Sequence, residues 1–311
     1  MRAIGHSNYG GPEVLQTYDL PEVQAGPGQV RIRTQAATVN PADIMFRTGL
    51  LEAQQVGLKP PFILGMEAAG VVDEVGAGVT SVKVGDSAIA IVNTRGPQGA
   101  YREQLVVDAR CVVPAPRGKT PVESATLPMN GMTARRSLDL LGLAAGQTLA
   151  VTGAAGAYGG YLIQLAKAEG LIVVADAAEK DEALVKSLGA DVVVRRGLEV
   201  ATRIRAHFPA GVDGLADGAV LNELAIPAVR DGGVFTSVRG FAGAPQRGIR
   251  FEKTAVFAYE HAWAKLDQLR RQVESGVLTL RVAATYPAAQ AAAAHRRWEA
   301  GGTRGRLVLT F

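Results

Sequence analysis

The stretch 147–176, QTLAVTGAAGAYGGYLIQLAKAEGLIVVAD, constrains this chain more than any other. A short apolar run, Leu149-Ala150-Val151, passes straight into a glycine-rich turn. A helix follows, with Leu162, Ile163, Leu165 and Ala166 on one face and Gly170 closing it. Residues 171–175 then read as a second buried strand that ends in Asp176. Strand, turn, helix and strand in that order make a βαβ unit. Within the turn, Ala154-Ala155-Gly156-Ala157-Tyr158-Gly159 stands where a dinucleotide fingerprint reads G-x-G-x-x-G, with Gly153 ahead of it. Gly153 and Gly156 allow a sharp bend and let backbone N–H groups approach a diphosphate. Gly159 lets the helix pack on the sheet, and the helix N-terminus offers partial positive charge to the anion. The acidic residue at the end of the second strand, about 20 positions on, completes the pattern. The stretch therefore predicts a bound dinucleotide.

The rest of the composition is that of an ordinary globular chain. Its 311 residues, 48% hydrophobic and 20% charged, suffice for two domains. One cysteine, Cys111, excludes a disulfide framework and a multi-cysteine zinc site, and it suits a reducing, cytoplasmic compartment. The N-terminus lacks an apolar core of signal-peptide length, and the longest uncharged stretch, 140–166, is broken by glycines and polar residues, which argues against a membrane span. The net charge of +4 comes with arginine pairs separated by acids, so solvated faces are expected and not a nucleic-acid surface.

Residues 1–116 look β-rich. Gln29-Val30-Arg31-Ile32-Arg33-Thr34 alternates with period two, and 70–76 and 87–92 read as further short strands between glycine turns. From about 121 the texture changes to helices alternating with buried strands at 149–151, 172–175, 192–194, 214–216 and 234–238. Helices are expected at 262–275 and 288–300, and the alternating last strand, 306–311, is expected to return to the N-terminal domain.

Several segments in register resemble the zinc-independent quinone oxidoreductases (zeta-crystallin-like) among the medium-chain dehydrogenases/reductases. They are Asn40-Pro41-Ala42-Asp43-Ile44-Met45-Phe46-Arg47-Thr48-Gly49, Gly65-Met66-Glu67 through Gly76, Leu127-Pro128-Met129-Asn130-Gly131, the Gly153 turn and Thr303-Arg304-Gly305-Arg306. The resemblance covers essentially the whole chain. It implies a GroES-like catalytic domain at 1–116 and 260–311 and a doubly wound, parallel-sheet Rossmann domain at 117–259, an α/β architecture overall. It also implies a homodimer paired through cofactor-domain sheet edges.

In zinc-dependent relatives a cysteine and a Gly-His-Glu segment hold the metal. Here Asn40 stands near the cysteine's place and Met66 replaces the histidine, while His6, His207, His261 and His295 show no clustering in sequence. No zinc is expected. The implied chemistry is hydride transfer from a nicotinamide to a quinone or α,β-unsaturated carbonyl. The resemblance makes Asn40 a donor to the acceptor's carbonyl oxygen and Asp43 an orienter of it or of the nicotinamide ribose, with Met45 and Met66 beside the substrate; from the residues alone, Asn40-Pro41 is a turn and Asp43 a helix cap. Met45 stands where relatives often carry a tyrosine. Thr133 and Val238-Arg239-Gly240 are implied to flank the nicotinamide.

Cofactor choice presents a conflict. Asp176 suits the ribose diol of NAD, or is only a helix N-cap. Relatives in this branch resemble NADPH enzymes, and Lys180, Arg195 and Arg196 supply charge for a 2′-phosphate, which tilts the balance to NADP(H). Tyr158, at the turn's tip, is expected to pack on the neighbouring domain, and Cys111 to lie in a strand. A short-chain dehydrogenase is disfavoured because no tyrosine has a lysine four positions later. A nucleotide-binding sensor without turnover stays open. Loops 47–61 and 239–251 are expected to line the pocket, and the sequence does not identify the acceptor.

Overall fold

The computed structural model describes residues 1–55, 57–93, 99–241 and 243–311. Val56 and Ala242, in loops 47–61 and 239–251, lie outside the described residues. The chain forms two compact units. One comprises Met1–Met129, Tyr259–Glu274 and Leu280–Phe311; the other comprises Asn130–Ala258 and Ser275–Thr279. The first crossing thus falls later than residue 116, because the short helix Pro121–Ser124 packs on strands Gln29–Thr38 and Glu67–Val75 of the β-rich unit. The segment Ser275–Thr279 goes back to the second unit, where the Gln164 side-chain oxygen accepts the Thr279 N–H at 2.8 Å.

The β-rich unit is built on one long strand, Gln29–Thr38, whose buried positions alternate over its first half as the sequence pattern requires. One edge pairs antiparallel with Glu67–Val75 along its length. The other edge is shared: Gln104–Asp108 covers its start and Arg306–Thr310 its end. Splitting an edge between two partners curls the sheet, and register shifts at Arg31/Ile32 and Thr34/Ala36 mark the bends. The last strand does return to this unit, but it is flanked on both sides, by Gln29–Thr38 and by Val282–Pro287. Its residues Arg306–Leu309 are therefore all buried, and the expected alternation is absent. Helices form at Trp263–Glu274 and Ala291–Glu299, close to their expected positions.

The second unit holds a six-stranded parallel sheet. Its strands are β1 (Thr148–Thr152), β2 (Ile172–Ala177), β3 (Val192–Arg195), β4 (Val212–Asp217), β5 (Val229–Ser237) and β6 (Arg250–Lys253). They lie in the order β3-β2-β1-β4-β5-β6. This is the doubly wound dinucleotide-binding order, with its reversal between β1 and β4. Sequence reading missed β6, since Arg250-Phe251-Glu252-Lys253 is short and charged; as an edge strand it buries little.

The helix Ala157–Ala168 lies against the sheet through its glycines. A Cβ on Gly159 would stand 2.6 Å from the Gly153 carbonyl oxygen and 2.7 Å from the Ala154 Cα, both backbone atoms with no room to move. Gly159→Ala should therefore destabilise the protein by about 1–3 kcal/mol through overpacking, read as a lowered urea midpoint; an unchanged midpoint would show that the helix can shift without cost.

Candidate active site

Parallel pairing brings the chain's cofactor candidates to one edge of the sheet. Asp217, the last residue of β4, is in register with Thr152 of β1 and Ser237 of β5. The turns that follow each strand, beginning at Gly153, Gly218 and Val238, therefore emerge side by side. Asp217 ties the edge together: one carboxylate oxygen accepts Thr152 Oγ1–H at 2.6 Å, and the other accepts the Asn222 N–H at 2.7 Å. Gly153 has a φ of +67°, and a Cβ there would be 2.9 Å from the Gly218 carbonyl carbon. Gly156, the helix N-cap, meets only the Gly153 carbonyl oxygen, at 3.1 Å, so its outer face forms a cradle that a side chain would fill. Ala154 is buried behind it, and Ala157 opens the helix. This arrangement fits a dinucleotide diphosphate.

Tyr158 departs from expectation. Its hydroxyl meets Ser137 Oγ at 2.8 Å, and its ring lies against Gly218, where a Cβ would be 2.8 Å from Cδ1. It packs inside its own unit, and burial pushes its hydroxyl pKa up. Ser137 lies on helix Pro128–Leu141 one turn after Thr133, so the half-buried Thr133 shares that face. After β5, Gly240 makes the turn at φ +67°, its N–H bonded to the Ser237 carbonyl at 3.2 Å, while the Arg239 side chain is exposed.

Asp176 lies within β2 and does not cap a helix. Its carboxylate turns onto the glycine loop and accepts the Ala154 N–H at 3.1 Å. Burial raises its pKa, against lowering by that bond and by the nearby Arg196 charge. The three expected cations divide. Arg195 is engaged by Glu179 at 3.0 Å. Arg196 anchors its backbone N–H on the Ala177 carbonyl at 2.9 Å and exposes a guanidinium that has no hydrogen-bond or ion-pair partner among the described residues. Lys180, also exposed, has none either.

In the β-rich unit, Asn40 and Asp43 form a capping box at the start of helix Pro41–Arg47. Asp43 exposes 0% of its surface. One oxygen accepts the Asn40 N–H at 2.8 Å, the other the Gly65 N–H at 2.8 Å, and Tyr101 Oη adds a longer bond at 3.3 Å. The Asn40 amide is 2% exposed; its Nδ2 donates to Glu67 at 3.2 Å and its Oδ1 accepts from Arg306 at 2.7 Å. In this conformation neither residue presents a free polar atom to an acceptor: capping, read from the residues alone, is what the geometry displays.

The residues that organise the network are two that the sequence reading quoted without a role, Glu67 and Arg306. Glu67 accepts from Thr38, Asn40 and Arg306 with one oxygen, and from the Met129 N–H with the other at 2.6 Å. That N–H belongs to the first turn of helix Pro128–Leu141, where a negative charge is favoured. Removing one partner of such a buried pair leaves an uncompensated charge, at a cost of about 3–5 kcal/mol. The visible signal was a charged residue at the head of each of two strands, immediately before an apolar run.

At the place where zinc-dependent relatives hold the metal, this chain offers an amide already bonded to Arg306 and the buried thioether of Met66. That donor set does not fit tetrahedral zinc. Met45 is half-buried on the same short helix as Asp43. Cys111 ends a 3-10 turn, Ala109–Cys111, just before strand Val112–Pro114. Burial and the charges of Glu260 and Asp108 push its thiol up to about 12, which suppresses thiolate reactivity. The structure also brings Cys111 together with Glu260 and His261, a grouping invisible in sequence order.

Comparison with known proteins agrees with this architecture. Residues 26–117 match the alcohol dehydrogenase GroES-like domain, and residues 188–309 match a domain described as zinc-binding dehydrogenase. The chain is 30% identical to the quinone oxidoreductase of Pseudomonas aeruginosa over 99% of both proteins. It is 31% identical to the chloroplastic NADPH-dependent alkenal/one oxidoreductase of Arabidopsis thaliana, over 82% of this chain and 66% of that one. Among solved structures, a mycobacterial protein complexed with NADPH superposes with TM-score 0.86 at 29% identity, covering 100% of each chain. An NAD-dependent alcohol dehydrogenase does so with TM-score 0.88 at 28% identity, also over 100% of each. The chain belongs to the quinone oxidoreductase family of medium-chain dehydrogenases/reductases.

Burial lifts the Asp43 carboxyl from 3.8 to about 7, against the lowering effect of its backbone hydrogen bonds. Between those values the folded chain holds a proton that the unfolded chain has released, so stability falls as pH rises through this window. Compared with Asp43→Asn, the native protein's urea midpoint should lose ground between about pH 4 and about pH 8. A midpoint difference that stays constant would mean that Asp43 is ionised throughout.

Proposed function

We propose that this protein is an NAD(P)H-dependent reductase, preferring NADPH, that delivers hydride to a quinone or an α,β-unsaturated carbonyl without a metal at the Asn40/Met66 position. The observation that carries the reading is the sheet edge at which the glycine cradle, Asp176 and the unpartnered Arg196 converge. The names of its quinone and alkenal oxidoreductase relatives support the acceptor class. An NADPH-bound structural neighbour supports the cofactor, while the NAD-dependent neighbour keeps Asp176 in contention as a selector for NADH.

When bound, the nicotinamide supplies the hydride; the residues of this chain bind and orient. The turn from Gly153 to Gly159 receives the diphosphate. Asp176 faces the ribose, and the exposed Arg196 and Lys180 receive the 2′-phosphate. Thr133 and the Val238-Arg239-Gly240 turn position the nicotinamide ring. Hydride addition to a conjugated acceptor yields a stabilised enolate or hydroquinone anion, so a strong acid at Asn40 is unnecessary. Asn40 and Asp43 then act through the Glu67–Arg306 network that shapes the substrate side, and Met45 and Met66 furnish apolar surface there. The saturation of Asn40 and Asp43 also favours a second reading, a cofactor-binding sensor with little turnover.

We place the protein in the cytoplasm, in keeping with its single buried cysteine. No helix among the described residues is long and apolar enough to cross a membrane. A homodimer through edge strand β6 is consistent with its charges, since a two-fold axis at Phe251 would set Arg250 of one copy opposite Glu252 of the other.

Oxidation of NADPH and NADH, followed separately with 1,4-benzoquinone, 9,10-phenanthrenequinone and a simple enone, tests this reading. Chelator-insensitive turnover preferring NADPH is expected. Arg196→Ala should lower kcat/KM for NADPH about tenfold to a hundredfold, the value of a charge-assisted phosphate contact, and leave NADH nearly unchanged. A native preference for NADH would make Asp176 the selector. Tight cofactor binding with no turnover on any acceptor would overturn the reductase in favour of the sensor.

A further inference from the structure

The grouping of Cys111, Glu260 and His261 is absorbed neither by the cofactor edge nor by the Asn40 network. One potential ligand atom from each, thiol sulfur, carboxylate oxygen and imidazole nitrogen, lies within 4.8 Å of the other two. All three belong to the β-rich unit, yet they come from chain segments far apart in sequence. Cys111 is buried at the foot of strand Val112–Pro114, while Glu260 and His261 sit on the turn that leads into helix Trp263–Glu274. That helix packs on the same strand.

We propose that these three side chains form a binding site for one borderline-soft divalent transition ion of the zinc class, a site that clamps the returning segment to the β-rich unit. Thiolate, imidazole and carboxylate are the donors such an ion prefers, and three protein ligands leave a fourth position for water. Metal–ligand bonds of about 2.0–2.3 Å at tetrahedral angles require ligand atoms roughly 3.3–3.6 Å apart, so binding draws the three atoms inward from their present spacing of within 4.8 Å. The exposed His261 is free to make that movement, and neither its ring nor the Cys111 thiol has a hydrogen-bond partner among the described residues. Glu260 is already oriented: Asn93 Nδ2 donates to its Oε2 at 2.9 Å, the outer-shell support that metal-binding carboxylates require. Arg110, a cation close to Cys111, is held by both oxygens of Asp108, at 2.9 and 2.7 Å, which offsets its repulsion of an incoming ion. On binding, the thiol proton passes to solvent and a sulfur–metal bond forms; no redox change is involved. The site uses no residue from the family's zinc position and goes beyond the reductase reading, which it neither needs nor alters.

Cobalt(II) titration of the reduced, metal-stripped, full-length protein tests the proposal. Because Cys111 is the only cysteine in the chain, any thiolate-to-cobalt charge-transfer absorption must come from it. One equivalent of cobalt should produce that band together with intense tetrahedral d–d bands, and zinc should displace both. His261→Ala, at an exposed position that leaves folding intact, should weaken cobalt binding at least tenfold, and Glu260→Gln should do likewise. The absence of a charge-transfer band in the native protein would overturn the site. So would a band whose affinity is unchanged in both variants, since it would report a solitary cysteine ligand. Turnover of quinone should be unaffected by stripping the metal, so failure of this site and failure of the reductase reading are separable.

Discussion

The cofactor-binding unit depends on backbones approaching more closely than any side chain permits. The Gly153 carbonyl lies where a Cβ on Gly159 would intrude, and the Gly218 carbonyl lies where a Cβ on Gly153 would. Those two contacts draw the ends of β1 and β4 and the start of helix Ala157–Ala168 into one compact corner. The corner falls where the strand order reverses, the place at which an open α/β sheet leaves a crevice. Asp217, hydrogen-bonded to Thr152 and to the Asn222 N–H, holds the corner from beneath. Tyr158, turned inward onto Gly218 and Ser137, closes its side. Beside the glycine cradle lie Asp176, buried against the Ala154 N–H, and the exposed Arg196, an arrangement suited to the phosphate-and-ribose half of a dinucleotide.

The β-rich unit meets the opposite problem, a carboxylate with no exposed surface. Glu67 is tolerated because both of its oxygens are answered, by Arg306, Thr38, Asn40 and a helix N–H. A buried ion pair is weak support for net stability, but it is a strict condition on geometry. It fixes the last strand against Gln29–Thr38 and sets the orientation of the Asn40 amide. The network thereby leaves the Glu67 carboxylate and the Asn40 amide satisfied within itself.

Legibility followed sequence separation. The βαβ unit was visible because its information is local: apolar runs, glycine spacing and a terminal acid all lie within one stretch. The family motifs extended this to the whole fold. The charged edge strand Arg250–Lys253 was missed because propensity and burial gave no apolar signal. Glu67 and Arg306 stood in quoted motifs, but they meet across 239 residues, and nothing in the order of the chain pairs them. The same holds for Cys111 with Glu260 and His261, where counting histidines and cysteines separately hid a mixed cluster. Asn40 carries two readings at once: the family pattern directs its amide to substrate, and the local pattern, a turn followed by a capped helix, matches the capping box that it forms with Asp43.

The claim beneath this account is direct hydride addition to a conjugated acceptor. The most direct measurement supplies the protein with NADPH deuterated at the nicotinamide C4 position, on each face in turn, together with a simple enone, and locates the label in the product by NMR. The account predicts deuterium from one face only, on the carbon β to the carbonyl, with the α proton drawn from solvent. Product lacking the label, or labelled only when the solvent is deuterated, would contradict it.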